Sequence, residues 1–110
     1  MIDGILANCP VADLDRAEDW YTRLFERGPD QRPMTGLLEW HLGESFGFQV
    51  WADRQRAGGT VVVLQETALD DLADRLTTTG IDHSGPEPGG GARILRVRDP
   101  DGNLIVCTGD

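Results

Sequence analysis

One order of predicted elements occurs twice along this chain. A strand, an amphipathic helix and a hairpin follow one another in residues 2–51, and the same order returns in residues 60–108. The helical apolar positions that recur 55 residues later are Leu14, Ala17 and Tyr21, which match Leu69, Leu72 and Leu76. The repeat predicts a duplicated α+β unit, and chance similarity between two short amphipathic helices is the alternative.

The first half begins with a strand and a helix. A strand over residues 2–9 is predicted to end at Pro10. A helix that begins at Leu14, after the N-cap Asp13, is predicted to stop at the Gly-Pro pair of residues 28–29. The residues up to Thr35 are predicted to be a loop, so only two strands are expected after this helix.

Those two strands, residues 37–42 and 46–51, form a predicted hairpin with a three-residue connection. This connection places Trp40 opposite Phe48. One side of the hairpin is then apolar and consists of Leu38, Trp40, Leu42, Phe46, Phe48 and Val50. A shift by one residue would exchange the two sides, so this agreement supports the register, with the apolar side packed on helices.

The second half has the same organisation. A strand over 60–66 precedes a helix over 69–76 that ends before Gly80, and residues 81–91 are predicted to be a loop. The chain closes with a hairpin of residues 92–98 and 104–108. Its turn reads Asp-Pro-Asp-Gly-Asn, in which proline fixes φ and glycine permits positive φ, so a tight turn with a bulge is predicted.

Composition limits the partners and the compartment. The formal charge of −9 argues against nucleic acid and anionic membranes as partners, and it permits a cationic ligand. No apolar run is long enough to span a bilayer, and no signal peptide is expected. Cys9 and Cys107 lack metal-ligand spacing, so both are interpreted as apolar core residues of a cytoplasmic protein.

Three stretches, residues 9–25, 69–81 and 96–106, resemble the vicinal oxygen chelate superfamily of glyoxalase I, bleomycin-resistance proteins and extradiol dioxygenases. The resemblance implies an α+β fold of two βαβββ modules whose sheets curl into a cup with helices outside. It also implies a homodimer. We expect a single domain over 1–110, with module one at 1–53 and module two at 60–110.

The resemblance also locates the superfamily's metal ligands on this sequence. They fall on Leu6, Val61 and Val106, with Gln49 or Trp51 at the remaining position. Aliphatic side chains cannot donate to a metal, and about three or more protein ligands are needed. The sequence therefore predicts no metal site and no cofactor.

A different site could include Glu39 and His41, which share one face of a strand. Such a pair could ligate a metal or act as a general base with an orienting partner, so these two residues are the catalytic candidates. A hydrogen-bonded polar surface is the alternative. His83 lies in a loop that the sequence does not place.

Strand alternation selects the residues expected to line the cup. The ligand-binding candidates are Asn8, Glu39, His41, Gln49, Trp51, Gln65, Arg96 and Val106. Trp51 could stack on a flat or cationic ligand, or pack at a dimer interface. Arg96 could bind a carboxylate, or form an ion pair with Glu39 or Glu66.

These features favour a metal-free protein that binds or sequesters an aromatic or cationic metabolite or antibiotic as a homodimer. The alternative is a metal-dependent lyase, isomerase or extradiol-type dioxygenase. An accessory dimer module without a ligand is a third hypothesis. The sequence does not identify the ligand.

Overall fold

The computed structural model describes residues 1–110. The elements in chain order are β1 (Ile5–Val11), α1 (Leu14–Phe25), β2 (Gln31–Met34), β3 (Leu37–His41), β4 (Phe46–Ala52), β5 (Val61–Gln65), α2 (Leu69–Thr79), β6 (Glu87–Gly89), β7 (Ala92–Arg98) and β8 (Leu104–Gly109). They form two βαβββ modules, which confirms the predicted α+β fold class. No helix is both long enough and apolar enough to cross a membrane.

Each module folds into one mixed four-stranded sheet. The strand orders are β1-β4-β3-β2 and β5-β8-β7-β6. The outer strands β1 and β5 pair in parallel with β4 and β8, and the remaining pairs are antiparallel. Because β1 and β5 each pair along one edge only, the two sheets do not join into one curled sheet within a single chain.

A single hydrophobic core contains buried residues from both modules. Helix α1 packs on β4, α2 packs on β7 and β8, and the two helices contact each other. Aromatic rings fill the first module, where Tyr21 lies 5.2 Å from Phe48 and 6.1 Å from Trp40 between ring centroids. The helices therefore cover one face of each sheet and leave the other face open.

Two short strands differ from the sequence predictions. The predicted loop before Thr35 contains β2, so the expectation of only two strands after the first helix is wrong. The predicted loop of residues 81–91 contains β6. Both strands lie at the outer edge of a sheet and contain a proline, and neither shows alternating hydrophobicity, so only their pairing partners define them.

Two element boundaries also differ. The prediction that Pro10 ends the first strand is wrong, since β1 continues through it to Val11. An edge strand accepts proline because the missing N–H costs no ladder hydrogen bond on its open side. Helix α1 starts after the predicted N-cap Asp13 but ends at Phe25, before the predicted Gly-Pro stop, because Glu26 adopts a left-handed conformation with φ of 62°.

The predicted hairpin register is confirmed, with Trp40 opposite Phe48 and Leu38 opposite Val50. These four side chains are buried under the helices, as alternation predicted. Phe46 lies at the end of the same face and is 52% exposed. The helix layer is therefore shorter than the sheet that it covers.

The last hairpin joins the two modules through its turn. Gly102 has φ of 97° and its N–H donates to the Asp99 carbonyl, as expected for a tight turn. The buried Asn103 side chain donates to the Pro10 carbonyl at 2.8 Å and accepts from the Thr60 N–H at 3.0 Å. One amide thus connects the end of β1 with the residue that precedes β5.

Candidate functional site

The uncovered face of the first sheet carries the side chains Leu6, Asn8, Glu39, His41, Gln49 and Trp51, here called the first open face. Four of them form a continuous chain of hydrogen bonds. The Asn8 amide donates to Gln49 Oε1 at 3.2 Å, and Gln49 Nε2 donates to Glu39 Oε2 at 2.9 Å. His41 Nε2 lies 2.9 Å from Glu39 Oε1. Alternation along β1, β3 and β4 brings these polar groups to one surface.

The Glu39 carboxylate is the electrostatic centre of this face. Its pKa is lowered, first by the hydrogen bond from Gln49 and then by the hydrogen bond to His41. The carboxyl group is therefore a charged acceptor at neutral pH. The pair of Glu39 and His41 also has the geometry of an imidazole oriented by a carboxylate.

One end of the first open face forms a cavity of about 690 Å³, here called the carboxylate cavity. Its charged and titratable lining residues are Asp3, Glu39, Glu44 and His41, and no arginine lines it. Leu6 adds apolar surface from the first open face, and Ile5 and Phe46 line the cavity at the end of the sheet. The cavity therefore combines three carboxylates with an apolar wall, a combination that suits a small organic cation.

The uncovered face of the second sheet carries Val61, Val63, Gln65, Arg96, Leu104 and Val106, here called the second open face. Val61 and Val63 on β5 are 63% and 61% exposed. Arg96 Nε forms an ion pair at 2.9 Å with Glu87 Oε1, rather than with either of the two glutamates considered from the sequence. This face is largely aliphatic, with charge only toward its β7 side.

The eight predicted ligand-binding residues thus fall into two groups. Five lie on the first open face, and Gln65, Arg96 and Val106 lie on the second. None of the principal cavities contains members of both groups. Trp51 is half-buried and its backbone is paired with Pro10 and Leu37.

The structure contains no group of three or more His, Cys, Asp or Glu side chains placed to hold a metal ion. Leu6, Val61 and Val106 lie on the open faces, where the resemblance placed metal ligands. These three positions supply only hydrocarbon to the faces. His83 is far from this chemistry, since its ring nitrogens bond to Ala73 and Gly85 at the second helix.

Two carboxylates of the cavity were missed from the sequence. Asp3 precedes β1, and Glu44 lies in the connection between β3 and β4. Alternation assigns residues within strands to faces but says nothing about chain ends and turns. The only sequence signal was that Glu44 lies in the predicted connection of a hairpin that carries the Glu39 and His41 pair.

No protein-family model matches the sequence, and the comparison with curated proteins gives no match. Solved structures do match. A glyoxalase/bleomycin resistance protein from Catenulispora acidiphila DSM 44928 has a TM-score of 0.89 and 24% identity, covering 97% of each chain. The antibiotic-binding protein TnmS3 from Streptomyces sp. CB03234 has a TM-score of 0.78 and 24% identity, covering 94% of this chain and 92% of that one.

An enzyme has a similar structure. Lactoylglutathione lyase from Agrobacterium tumefaciens has a TM-score of 0.78 and 16% identity, covering 96% of this chain and 91% of that one. The same architecture therefore occurs in a binding protein and in a lyase, and the activity depends on the residues of each site. The agreement over nearly the full length shows that this chain has the glyoxalase/bleomycin resistance fold.

Proposed function

We propose that this protein binds a small aromatic or cationic metabolite or antibiotic, without a metal, in a cup completed by a second copy of the chain. The observation that carries this proposal is the carboxylate cavity, with its three carboxylates, no arginine and an apolar wall. Its volume of about 690 Å³ lies in the range of small-molecule sites. The net charge of −9 favours the approach of cations.

The two open faces support a homodimer. The free edges of β1 and β5 expose backbone hydrogen-bonding groups, and both strands carry exposed apolar residues, including Ile5 at 73% and Val63 at 61%. Such edges favour pairing with another strand. In a two-fold dimer, β1 of one protomer would lie beside β5 of its partner, and the first open face would meet the second.

This arrangement would give the cup two different walls. The first wall contributes the Glu39 carboxylate and the Trp51 indole, and the second contributes aliphatic surface from Val63 and Val106. A cation with an apolar or aromatic body would contact both walls. The two cysteines are free and buried, which supports a reducing, cytoplasmic location.

Calorimetric titration tests the ligand class. The probes are aromatic amines that are protonated at neutral pH, their neutral isosteres and carboxylates of the same size. We expect saturable binding of amines only, and Glu39→Gln should weaken it by about tenfold, as expected for a charge-assisted hydrogen bond of about 1.4 kcal/mol. Glu18→Gln on α1 is the matched control. Equal affinity for the neutral isosteres would contradict the assignment of the carboxylate cavity as a site for cations.

A general-base enzyme is the second candidate, and the 2.9 Å contact between His41 Nε2 and Glu39 Oε1 favours it. Under this alternative, His41→Ala would abolish turnover of a substrate but leave its binding intact. Under the binding proposal, the same variant would change only affinity.

A further inference from the structure

The outer edge of β7 is paired along only part of its length. The pairing of β6 with β7 ends at Glu87 opposite Ile94, although β7 continues to Arg98. The Asp99 N–H bonds across the hairpin to the Asn103 carbonyl. Because successive residues alternate in direction, the backbone N–H and C=O groups of Arg96 and Arg98 point away from β8. We call residues 95–98 of β7, with these outward-pointing groups, the open edge.

The equivalent edge of the first module is closed. There the Asp30 N–H donates to the Glu39 carbonyl at 2.8 Å, and the Asp30 carboxylate accepts from the His41 N–H at 2.7 Å. One residue before β2 thus satisfies the outward groups of β3. The second module has no such contact at Arg96 and Arg98, so the open edge is a difference between two otherwise parallel modules.

His83 holds the neighbouring loop away from the open edge. Its Nε2 donates to the Ala73 carbonyl at 3.0 Å and lies 2.9 Å from Thr77 Oγ1. Its Nδ1 accepts from the Gly85 N–H at 3.0 Å. Since a carbonyl can only accept, the ring is fixed with its proton on Nε2. The loop after α2 is therefore bound to that helix, and a space remains between it and β7.

This space is a cavity of about 660 Å³ beside the open edge. Arg16 and Trp20 from α1 line it, together with Arg96 and Arg98, and the carboxylates that line it are those of Asp82 and Glu87. All ten basic residues of the chain are arginines, and seven of them lie within 4.0 Å of a carboxylate oxygen. The three without such a partner include Arg16 and Arg98. Arg98 donates to the Gly102 carbonyl at 3.0 Å, whereas Arg16 has no polar partner at this cavity. Three arginines against two carboxylates leave the cavity with an excess of one positive charge, which favours an anionic ligand in a chain with a net charge of −9.

We infer that the open edge binds a short extended peptide that ends in a free carboxylate. The peptide backbone would pair with the outward groups of Arg96 and Arg98, adding a strand to the second sheet. Its carboxylate would be held by Arg16. The open stretch of four residues, 95–98, spans about 13 Å, which accommodates three or four peptide residues. A simple anion would leave the outward carbonyl groups of β7 without donors.

This site is separate from the carboxylate cavity, although Arg96 and Leu104 belong both to its lining and to the second open face. The lining residues of the two cavities do not overlap. The proposal therefore does not depend on the identity of the ligand in the cup.

Amide chemical shifts of the ¹⁵N-labelled protein test the proposal with acetyl-Val-Thr-Val bearing a free carboxyl end. We expect saturable shifts confined to Arg96, Arg98, the loop at residues 81–86 and the part of α1 around Arg16. The same peptide with N-methylated amides should cause none of these shifts, because it lacks the backbone donors. The peptide with an amidated end should bind about fivefold more weakly, as expected for an exposed ion pair of about 1 kcal/mol.

A pair of matched variants tests the charged contact. Arg16→Gln should weaken peptide binding by about fivefold. Arg54→Gln is the control, since Arg54 is also exposed and lacks a carboxylate partner, but lies in the connector between the modules. An unchanged spectrum with excess peptide, equal shifts with the N-methylated peptide, or equal weakening by both variants would overturn the inference.

Discussion

The Asp99 carboxylate is buried without any cation beside it. Its Oδ2 accepts hydrogen bonds from the Tyr21 hydroxyl and the Asn103 amide, each at 2.7 Å. Its Oδ1 accepts from the backbone N–H groups of Asp101 and Asn103 at 2.9 Å. Hydrogen bonds alone therefore compensate for the loss of water around this charge.

Tyr21→Phe removes one of those donors without changing the shape of the core. We expect the free energy of unfolding to fall by about 1–3 kcal/mol, because a buried charged acceptor loses a partner. Urea unfolding measures the change. In a protein that already carries Asp99→Asn, Tyr21→Phe should lower the free energy of unfolding by clearly less. An equal loss with and without Asp99→Asn would contradict this account.

Because of its two buried thiols, the protein should have a free energy of unfolding that falls as the pH becomes alkaline. Burial raises the pKa of Cys9 and of Cys107 from 9.0 to about 11. Above pH 9 the unfolded chain loses thiol protons that the folded protein retains, so stability is complete below pH 9 and is lost as pH rises toward 11. The loss should reach roughly 2–3 kcal/mol per thiol.

Denaturant unfolding at pH 8, 9 and 10 checks this dependence. Burial also raises the pKa of Tyr21, which adds a loss of its own above about pH 10. The decisive measurement therefore compares the free energy of unfolding of the wild type with that of the double variant Cys9→Ala, Cys107→Ala between pH 9 and 10. The double variant should be less stable at every pH, but its free energy of unfolding should change less between pH 9 and 10. Parallel curves of the free energy of unfolding against pH would show that the thiols are not responsible.

At the scale of elements, the two helices end differently. Helix α1 ends with Glu26 at φ of 62°, whereas α2 ends with Gly80 at φ of 85°. A side chain in this conformation costs about 1 kcal/mol relative to glycine. The Glu26 carboxylate lies 3.4 Å from Arg75 but is 64% exposed, so this ion pair offsets little of the cost.

This difference predicts opposite effects of two exchanges. Glu26→Gly should stabilise the protein by about 0.5–1 kcal/mol, and Gly80→Ala should destabilise it by about 1 kcal/mol. No atom lies within 4 Å of a Cβ built at Gly80, so only backbone conformation is tested there. Thermal unfolding of both variants provides the measurement, and changes of the same sign would be inconsistent with the explanation.

The elements that could be predicted are those whose own residues carry the signal. Helix α1 has its N-cap and its apolar spacing, and the β3–β4 hairpin has alternation on both strands. Strands β2 and β6 have neither, because an edge strand of three or four residues is defined by its neighbour. The end of α1 was misplaced because glycine usually occupies the position where Glu26 lies.

At the scale of the whole molecule, the free edges of β1 and β5 predict self-association. Val63→Asp on β5 should convert a dimer into a monomer, because it places a charge at the proposed contact between protomers. Light scattering after gel filtration should show half the mass. Met34→Asp is the control, since Met34 is 67% exposed but lies on β2 at the opposite edge of its sheet. Loss of the dimer in both variants would point to a different interface.

The residues of the candidate site could be predicted from the sequence, but their division between two separate sheets could not. Alternation selected Glu39, Gln49 and Val106 as open-face residues of a single cup, whereas within one chain Glu39 and Gln49 lie on the first open face and Val106 lies on the second. How the faces are arranged relative to each other depends on contacts between modules and protomers, which strand periodicity does not contain. The ion pair of Arg96 with Glu87 likewise depends on the pairing of β6 with β7.

The Asn103 amide spans the boundary between the two modules, while the covalent connector of residues 53–59 is largely exposed and polar. Tryptic cleavage after Arg54 or Arg56 would therefore leave two complementary fragments that remain associated under native conditions and separate only in denaturant. The two modules would then behave as a non-covalent pair, in which the Asn103 amide still binds the backbone at Pro10 and at Thr60.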